Sequence, residues 1–133
     1  LRIIEATPEE SIIRSDISDF VPIEKWWKGR VVLLGDAAHA TTPNLGQGGC
    51  QAVEDGFVLA KMLREKPTIE QAFGEFQNIR VGKARHVVNM SWKFGKMTNI
   101  GNPFLQSLRN ALMRMMPEST AIKQLDKILK LNY

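Results

Sequence analysis

The sequence predicts a mostly α-helical chain with a few short strands, of the kind that forms the C-terminal part of a larger α/β protein. Two observations predict it. From Gly48 onward, apolar residues recur at helical spacing in successive stretches separated by prolines and glycines. Before them stands one unbroken apolar run, Val31-Val32-Leu33-Leu34, framed by Gly29 and Gly35. Such a run without alternation is the pattern of a strand buried on both faces, as in a parallel sheet. A lone strand of that type needs neighbours for its backbone groups. The chain offers few, so the rest of the sheet is expected upstream of the residues given.

Residues Leu1 to Thr7 read as the end of a helix, and Ser11 to Ile17, mixing β-branched and polar residues, as an edge-type strand. Phe20 to Lys28 contains Pro22 and the pair Trp26-Trp27 and reads as an irregular approach to the Arg30–Leu34 strand. Asp36 to Gly49 is rich in small and turn residues and reads as a loop. A helix follows from Gly48 to Leu63, with Ala52, Val53, Phe57, Ala60 and Leu63 as its apolar face. Lys66-Pro67 breaks it. Thr68 begins the next helix, with Gln71 at the capping-box position; it runs towards Phe94 and ends at Gly95 or Gly101. Asn102-Pro103 is a cap followed by proline at the first helical position. Phe104, Leu105, Leu108, Ala111, Leu112 and Met115 mark one face of that helix, and Pro117 interrupts it. A last helix runs from Glu118 to Leu131 with Ile122, Leu125, Ile128 and Leu129 inward. The organisation expected is a first unit, 1–64, containing the strand and its loop, and a helical unit, 65–133.

Composition bounds the function classes. With 133 residues, 44% hydrophobic and 24% charged, the chain suits one modest globular unit. The net charge of +4 is spread along the sequence, which disfavours a nucleic-acid surface. No stretch approaches the ~20 apolar residues of a membrane span. The single cysteine, Cys50, excludes an internal disulfide and fits a reducing, cytoplasmic setting. Two histidines, His39 and His86, without a cysteine or carboxylate set around them, give no metal site. The first residues show neither Met nor a leader pattern, so the chain is expected to begin inside a longer protein.

The chemistry concentrates between Gly35 and Cys50. A strand delivers Gly35 and Asp36 at its carboxyl end, where ligands of open α/β sheets bind. Gly35 allows close backbone approach, and ionised Asp36 accepts hydrogen bonds only, which suits a sugar-type hydroxyl and repels a phosphate. Then come Pro43, Leu45, Gly46, Gln47, Gly48, Gly49 and Cys50, with glycines crowding a helix start. The unpaired N–H groups and positive dipole end there favour negative charge. A phosphate is one candidate and the N1/C2-carbonyl edge of a reduced flavin is another. The residues by themselves specify a polar ligand and leave its identity open.

Gly35-Asp36-Ala37-Ala38-His39, then Pro43, then Gly46-Gln47-Gly48-Gly49-Cys50 and Glu54-Asp55, resembles the second flavin motif of the FAD-dependent monooxygenases related to p-hydroxybenzoate hydroxylase. The variant from Pro43 to Ala52 is most similar to the branch of urate hydroxylases, salicylate hydroxylases and zeaxanthin epoxidases. The likeness runs from about Trp27 to Leu63 and continues more weakly through Phe76, Arg80 and Arg85. It implies a Rossmann-like, α/β FAD-binding domain in the parent enzyme. It also implies an enzyme that uses FAD, NAD(P)H and O2 to hydroxylate or epoxidise a small organic substrate.

By that resemblance Asp36 binds a ribityl hydroxyl, the Gly49 and Cys50 N–H groups face the flavin N1/C2-carbonyl edge, and Pro43 and His39 lie near the substrate. No acid–base catalyst is assigned. The family's upstream Gly-x-Gly-x-x-Gly turn and Asp-Gly motif are not in this sequence, so the 133 residues alone are expected to be inactive. Two alternatives stay open: a non-catalytic flavin-binding or relic module, and a halogenase- or reductase-type flavoprotein. Residue by residue, structural roles are expected for several positions. His39 is read as a hydrogen-bonded loop histidine, Cys50 as a small buried residue, and Trp26 and Trp27 as packing residues. Arg80 and Arg85 are read as ion-pair partners of Glu54 and Asp55. Met90, Met97, Met113, Met115 and Met116 point to docking of the last helices on the rest of the parent or on a second subunit, with a homo-oligomer as one form.

Overall fold

The computed structural model describes residues 2–130, and within α6 (below) the side chains of Glu118, Ala121 and Gln124 are not described. The elements in order are α1 (Arg2–Glu5), a 3-10 turn (Glu9–Ser11), β1 (Trp27–Lys28), β2 (Val31–Val32), α2 (Asp36–His39) and a second 3-10 turn (Pro43–Leu45). The long helices follow: α3 (Gly48–Glu65), α4 (Ile69–Thr98), α5 (Pro103–Met115) and α6 (Glu118–Leu129). The expected helix positions at Leu1 and Leu131 lie outside the described residues.

The helix signals hold well. Thr68 Oγ1 accepts from the Gln71 N–H at 3.3 Å and opens α4. Asn102 Oδ1 accepts from the N–H groups of Phe104 and Leu105, with Pro103 in the first turn of α5. The α4 terminus is instead satisfied by Arg109 of α5, whose Nη1 donates to the carbonyls of Met97 and Thr98. Neither glycine named in the sequence ends α4. The helix stops at Thr98, and Gly95 is buried within its last turn.

The strand expectations need correction. Ser11–Ile17 forms no strand: Ser11 closes the 3-10 turn and residues 12–17 are exposed coil. Ile13 is 91% exposed, so β-branching there meets no pleated surface to pack on. The Arg30–Leu34 run shrinks to Val31–Val32, and its partner is antiparallel: Trp27 faces Val32 and Lys28 faces Val31. A local hairpin turning at Gly29 (φ +56°) competes successfully, because among the described residues no other strand offers an edge. Val31 is accordingly exposed, not buried on both faces.

The core lies between α3, α4 and the hairpin. Trp26, Ala38, Val58, Met62, Ala72, Phe76 and Ala84 pack together. Trp26 is the pivot. Its N–H donates to Gln77 Oε1 of α4, its carbonyl accepts from Leu33, and its ring packs on Phe76 and His39. Trp27 packs edge-on to Phe73, so both tryptophans do pack as expected. The α3 face is rotated from the one expected. Val53, Phe57, Ala60 and Leu63 are exposed and Ala52 half-buried, whereas Gln51, Glu54, Asp55, Val58 and Met62 are buried. That stripe has proper helical spacing, but three of its five residues are polar, so apolar periodicity pointed to the wrong side. In α6 Ile128 is buried, but Ile122, Leu125 and Leu129 are exposed, and α5 buries none of its residues.

Candidate flavin site

Two clamps hold the loop between β2 and α3. The first is Asp55, fully buried on α3. Its Oδ2 accepts from the Gly35 N–H at 2.8 Å and lies 2.6 Å from His39 Nε2; its Oδ1 accepts from Arg80 Nε at 2.7 Å. One carboxylate therefore grips both ends of α2, the turn that carries Asp36. Arg80, 1% exposed on α4, also pairs with Glu54 at 2.6 Å and donates to the Gln51 side chain at 2.8 Å. Lys83 adds a second cation to Glu54 at 2.8 Å. Burial alone would push the Asp55 carboxyl up. The bonds from His39, the Gly35 N–H and Arg80 outweigh it and hold the carboxyl below its ordinary value. Asp55 thus accepts from the Gly35 N–H and Arg80 Nε, with His39 Nε2 held against its Oδ2.

The second clamp is Ser91 of α4, fully buried. Its Oγ donates to the Thr42 carbonyl at 2.6 Å and lies 3.0 Å from Thr42 Oγ1, while Asn44 Nδ2 donates to the Ser91 carbonyl at 3.3 Å. Asn44 lies so close to Gly95 that a Cβ there would collide with its amide. Gly95 is therefore a contact glycine that lets the loop seat on α4. Sequence reasoning missed both Ser91 and Gly95. The only trace was a Gly inside a helical pattern, which could equally have been a helix end.

These clamps bring the expected residues together. Gly35 is buried with φ +57° and ψ −140°, a backbone that only glycine adopts without strain. Asp36 is exposed at the start of α2, and its Oδ1 would lie 3.9 Å from a Cβ placed on Gly48. That same Cβ would press on Thr41 at 3.3 Å, so the loop and the α3 start share a close-fitting corner. Pro43 is exposed on its 3-10 turn, and Gly46 closes that turn in the left-handed region at φ +62°. Leu45 is half-buried and faces a cavity against α4. Gln47 is the residue before α3 and caps nothing with its side chain, and the first turn carries no acid. The N–H groups of Gly49 and Cys50 thus sit at an uncapped, exposed, positive helix end with open space above Gly49.

Two expectations change, those for Cys50 and Arg85. Cys50 is exposed, because it lies about 100° around the helix from buried Gln51. His39 is 2% exposed and bonded to Asp55, in agreement with a hydrogen-bonded structural histidine. Arg80 forms the expected ion pairs, while Arg85 is exposed.

A carboxylate acceptor beside an uncapped glycine-rich helix start is a cradle for a ligand with hydroxyls and a negative edge. Comparison with known proteins agrees. A family model described as FAD binding domain matches residues 9–72. Aurachin C monooxygenase/isomerase of Stigmatella aurantiaca is 49% identical over 115 residues, covering 86% of this chain and 30% of that protein. Zeaxanthin epoxidase of Oryza sativa is 59% identical over 63 residues, 47% of this chain and 10% of that protein. The structure of Klebsiella pneumoniae HpxO complexed with FAD and uric acid superposes with a TM-score of 0.83 at 33% identity, over 96% of this chain and 33% of that one.

Over 86% of its length the chain is homologous to an FAD-dependent, aromatic-hydroxylase-type monooxygenase.

It spans about a third of the length of such relatives. The part seen here is a glycine-rich loop and helix start with the two helices that brace them. The likeness to HpxO extends beyond the family-model match to α4 and the residues after it. No helix among the described residues is long and apolar enough to cross a membrane, and no cluster of metal-ligating side chains occurs among them.

Proposed function

We propose that this chain supplies the flavin-ring half of the FAD site in a monooxygenase that uses FAD, NAD(P)H and O2 to hydroxylate or epoxidise a small organic substrate. The observation that carries the reading is the meeting of the Asp36 carboxylate with the uncapped start of α3, across a loop fixed by Asp55 and Ser91. Asp36 would accept a hydrogen bond from a ribityl hydroxyl. The Gly49 and Cys50 N–H groups would face the ring edge that gains negative charge on reduction. Gly35, Leu45, Gly46, Gln47 and Gly48 would shape the cradle, and Pro43 would border the substrate. His39 would act from beneath, holding α2 through Asp55. When bound, the flavin supplies the redox chemistry; the protein supplies position and a fixed positive dipole.

A small-molecule substrate is supported by relatives named for a quinolone and for zeaxanthin and by the uric acid bound to HpxO. The division into 1–64 and 65–133 is part of the same reading: the first unit presents the motif and the second braces it. The exposed apolar residues of α5 and α6 support docking of these helices on further protein surface, the rest of the parent or a second subunit.

The test is FAD retention by the full-length protein. Asp36→Ala is expected to lower FAD affinity roughly tenfold or more, the scale of a lost hydrogen bond to a charged group. Far-UV circular dichroism should stay unchanged. Wild-type retention in that variant would reject the role of Asp36.

A further inference from the structure

We propose that the end of α6 braces the start of α3 and that Lys83 is the positioning residue that holds it there. The role of that helix start, to face the flavin ring, is taken from the flavin reading; the brace itself stands on contacts within the chain. The first turn of α3 is weak by itself. It opens on Gly48-Gly49, and Gln47 before it makes no side-chain cap bond. Glycine lowers helix stability by up to about 1 kcal/mol, and a missing cap costs about as much. Such a start needs neighbours to keep the Gly49 and Cys50 N–H groups in one place.

Lys83 joins three helices. Its side chain is 8% exposed, and its Nζ donates to Glu54 Oε1 at 2.9 Å, to Glu54 Oε2 at 2.8 Å and to the Lys130 carbonyl at 2.8 Å. These contacts match the three donors of an ammonium group. Glu54 lies one turn beyond Cys50 on the same face of α3. Lys130 is the C-cap of α6, its own N–H bonded to the Asp126 carbonyl at 2.8 Å. Its carbonyl therefore stands at the negative end of α6, where a cation is favoured. The junction seats the last turn of α6 beside the first turns of α3. Ile128 is buried, and Ile128 and Leu129 meet Gln47, Cys50, Val53 and Phe57 around a cavity of about 280 Å³. Without the ammonium, Glu54 still has Arg80 as a partner at 2.6 Å, so the buried network survives and the loss falls on the α6 end and the helix start it flanks.

The test uses the full-length protein. Hydrogen–deuterium exchange is followed in the flavin-free form, and affinity by titrating FAD back. Lys83→Met keeps the aliphatic stem and removes the ammonium; Ile128→Ala keeps the ammonium and removes the apolar contact. Each is expected to speed exchange of the amides of residues 51–54 about fivefold or more, leave those of residues 87–91 within about twofold, and weaken FAD roughly threefold to tenfold. The midpoint potential of the bound flavin should fall in both, because a loosened helix start supports the negative ring edge of the reduced form less well. Lys83→Arg keeps the charge and a bidentate fit to Glu54, and should stay within about twofold of wild type. Asp36→Ala should weaken FAD with wild-type exchange at residues 51–54. Failure of the flavin reading would therefore show in Asp36→Ala and failure of the brace in the exchange. Wild-type exchange in both Lys83→Met and Ile128→Ala would overturn the proposal. Equal acceleration throughout α3 and α4 would also overturn it, since Lys83 would then serve general stability. So would faster exchange with unchanged FAD affinity and potential, or a fall in potential in Lys83→Met alone, which would trace to the lost charge.

Discussion

Along α3 and α4 the chain buries its charges; along α5 and α6 it exposes its apolar residues. Asp55 is 0% and Arg80 1% exposed, whereas Leu112 is 60% and Leu125 54% exposed. The two regions invert the usual rule, and each inversion has a physical reading. A buried ion pair is weak evidence for stability, since desolvation offsets most of the attraction. What it provides is position: Asp55 can satisfy Gly35, His39 and Arg80 only if α2 sits at one place on α3 and α4. An exposed amphipathic face is complete in itself as a pattern but unfinished as packing. Periodicity shows which side of a helix can be covered, not what covers it.

The sharpest way to break the contrast is to remove one partner of the buried network. Arg80→Ala strands Asp55 and Glu54 in the interior and is expected to cost about 3–5 kcal/mol in chemical denaturation, with loss of FAD. A loss below 1 kcal/mol would mean that the network contributes little to holding the loop. The same network sets an acid limit. The folded pKa of Asp55 lies below its ordinary 3.8, so the folded state binds fewer protons than the unfolded state in that window. Its contribution is complete above pH 3.8 and is lost as pH falls through the folded value. Asp55→Asn should be less stable at neutral pH and should show a flatter fall in stability below pH 3.8. An unchanged slope in that variant would assign the acid sensitivity elsewhere.

Gly35→Ala tests the strained end of the same loop. The φ +57°, ψ −140° backbone disfavours any side chain, and the new Cβ would sit 3.0 Å from the Ala52 Cβ. A cost of about 1–3 kcal/mol is expected from the backbone, plus that of the contact. Adding Ala52→Gly should recover only the contact part. Full recovery in the double variant would show that space, not backbone conformation, requires the glycine.

These results also explain what could be read from the sequence. Helix boundaries at Thr68 and Asn102-Pro103 were legible because caps act through neighbours in sequence. The glycine-rich loop was legible because Gly35, Asp36 and Gly46–Cys50 lie close together in the sequence. The buried face of α3 was not, because Gln51, Glu54 and Asp55 are polar and their burial depends on Arg80 and Lys83, some 25–29 residues away. Ser91 and Gly95 were hidden for the same reason: their partners Thr42 and Asn44 lie on a distant loop. The strand was half legible, since an apolar run shows that burial is possible and leaves its pairing partner undecided.

The smallest effect is expected on the exposed side of the comparison. Leu112→Glu places a charge on the apolar face of α5, which buries no residue. Leu112 is 60% exposed, so where this face meets a second subunit and not the rest of the parent, denaturation of the full-length protein should shift by less than about 0.5 kcal/mol. Its effect should appear in association instead. A carboxylate opposite an apolar surface must be desolvated without a partner, so sedimentation should show a shift toward smaller species. Stability loss of several kcal/mol would place α5 inside the folding core and remove the contrast between the regions. Unchanged sedimentation together with unchanged stability would leave the α5 face free in solution and exclude it as a docking surface.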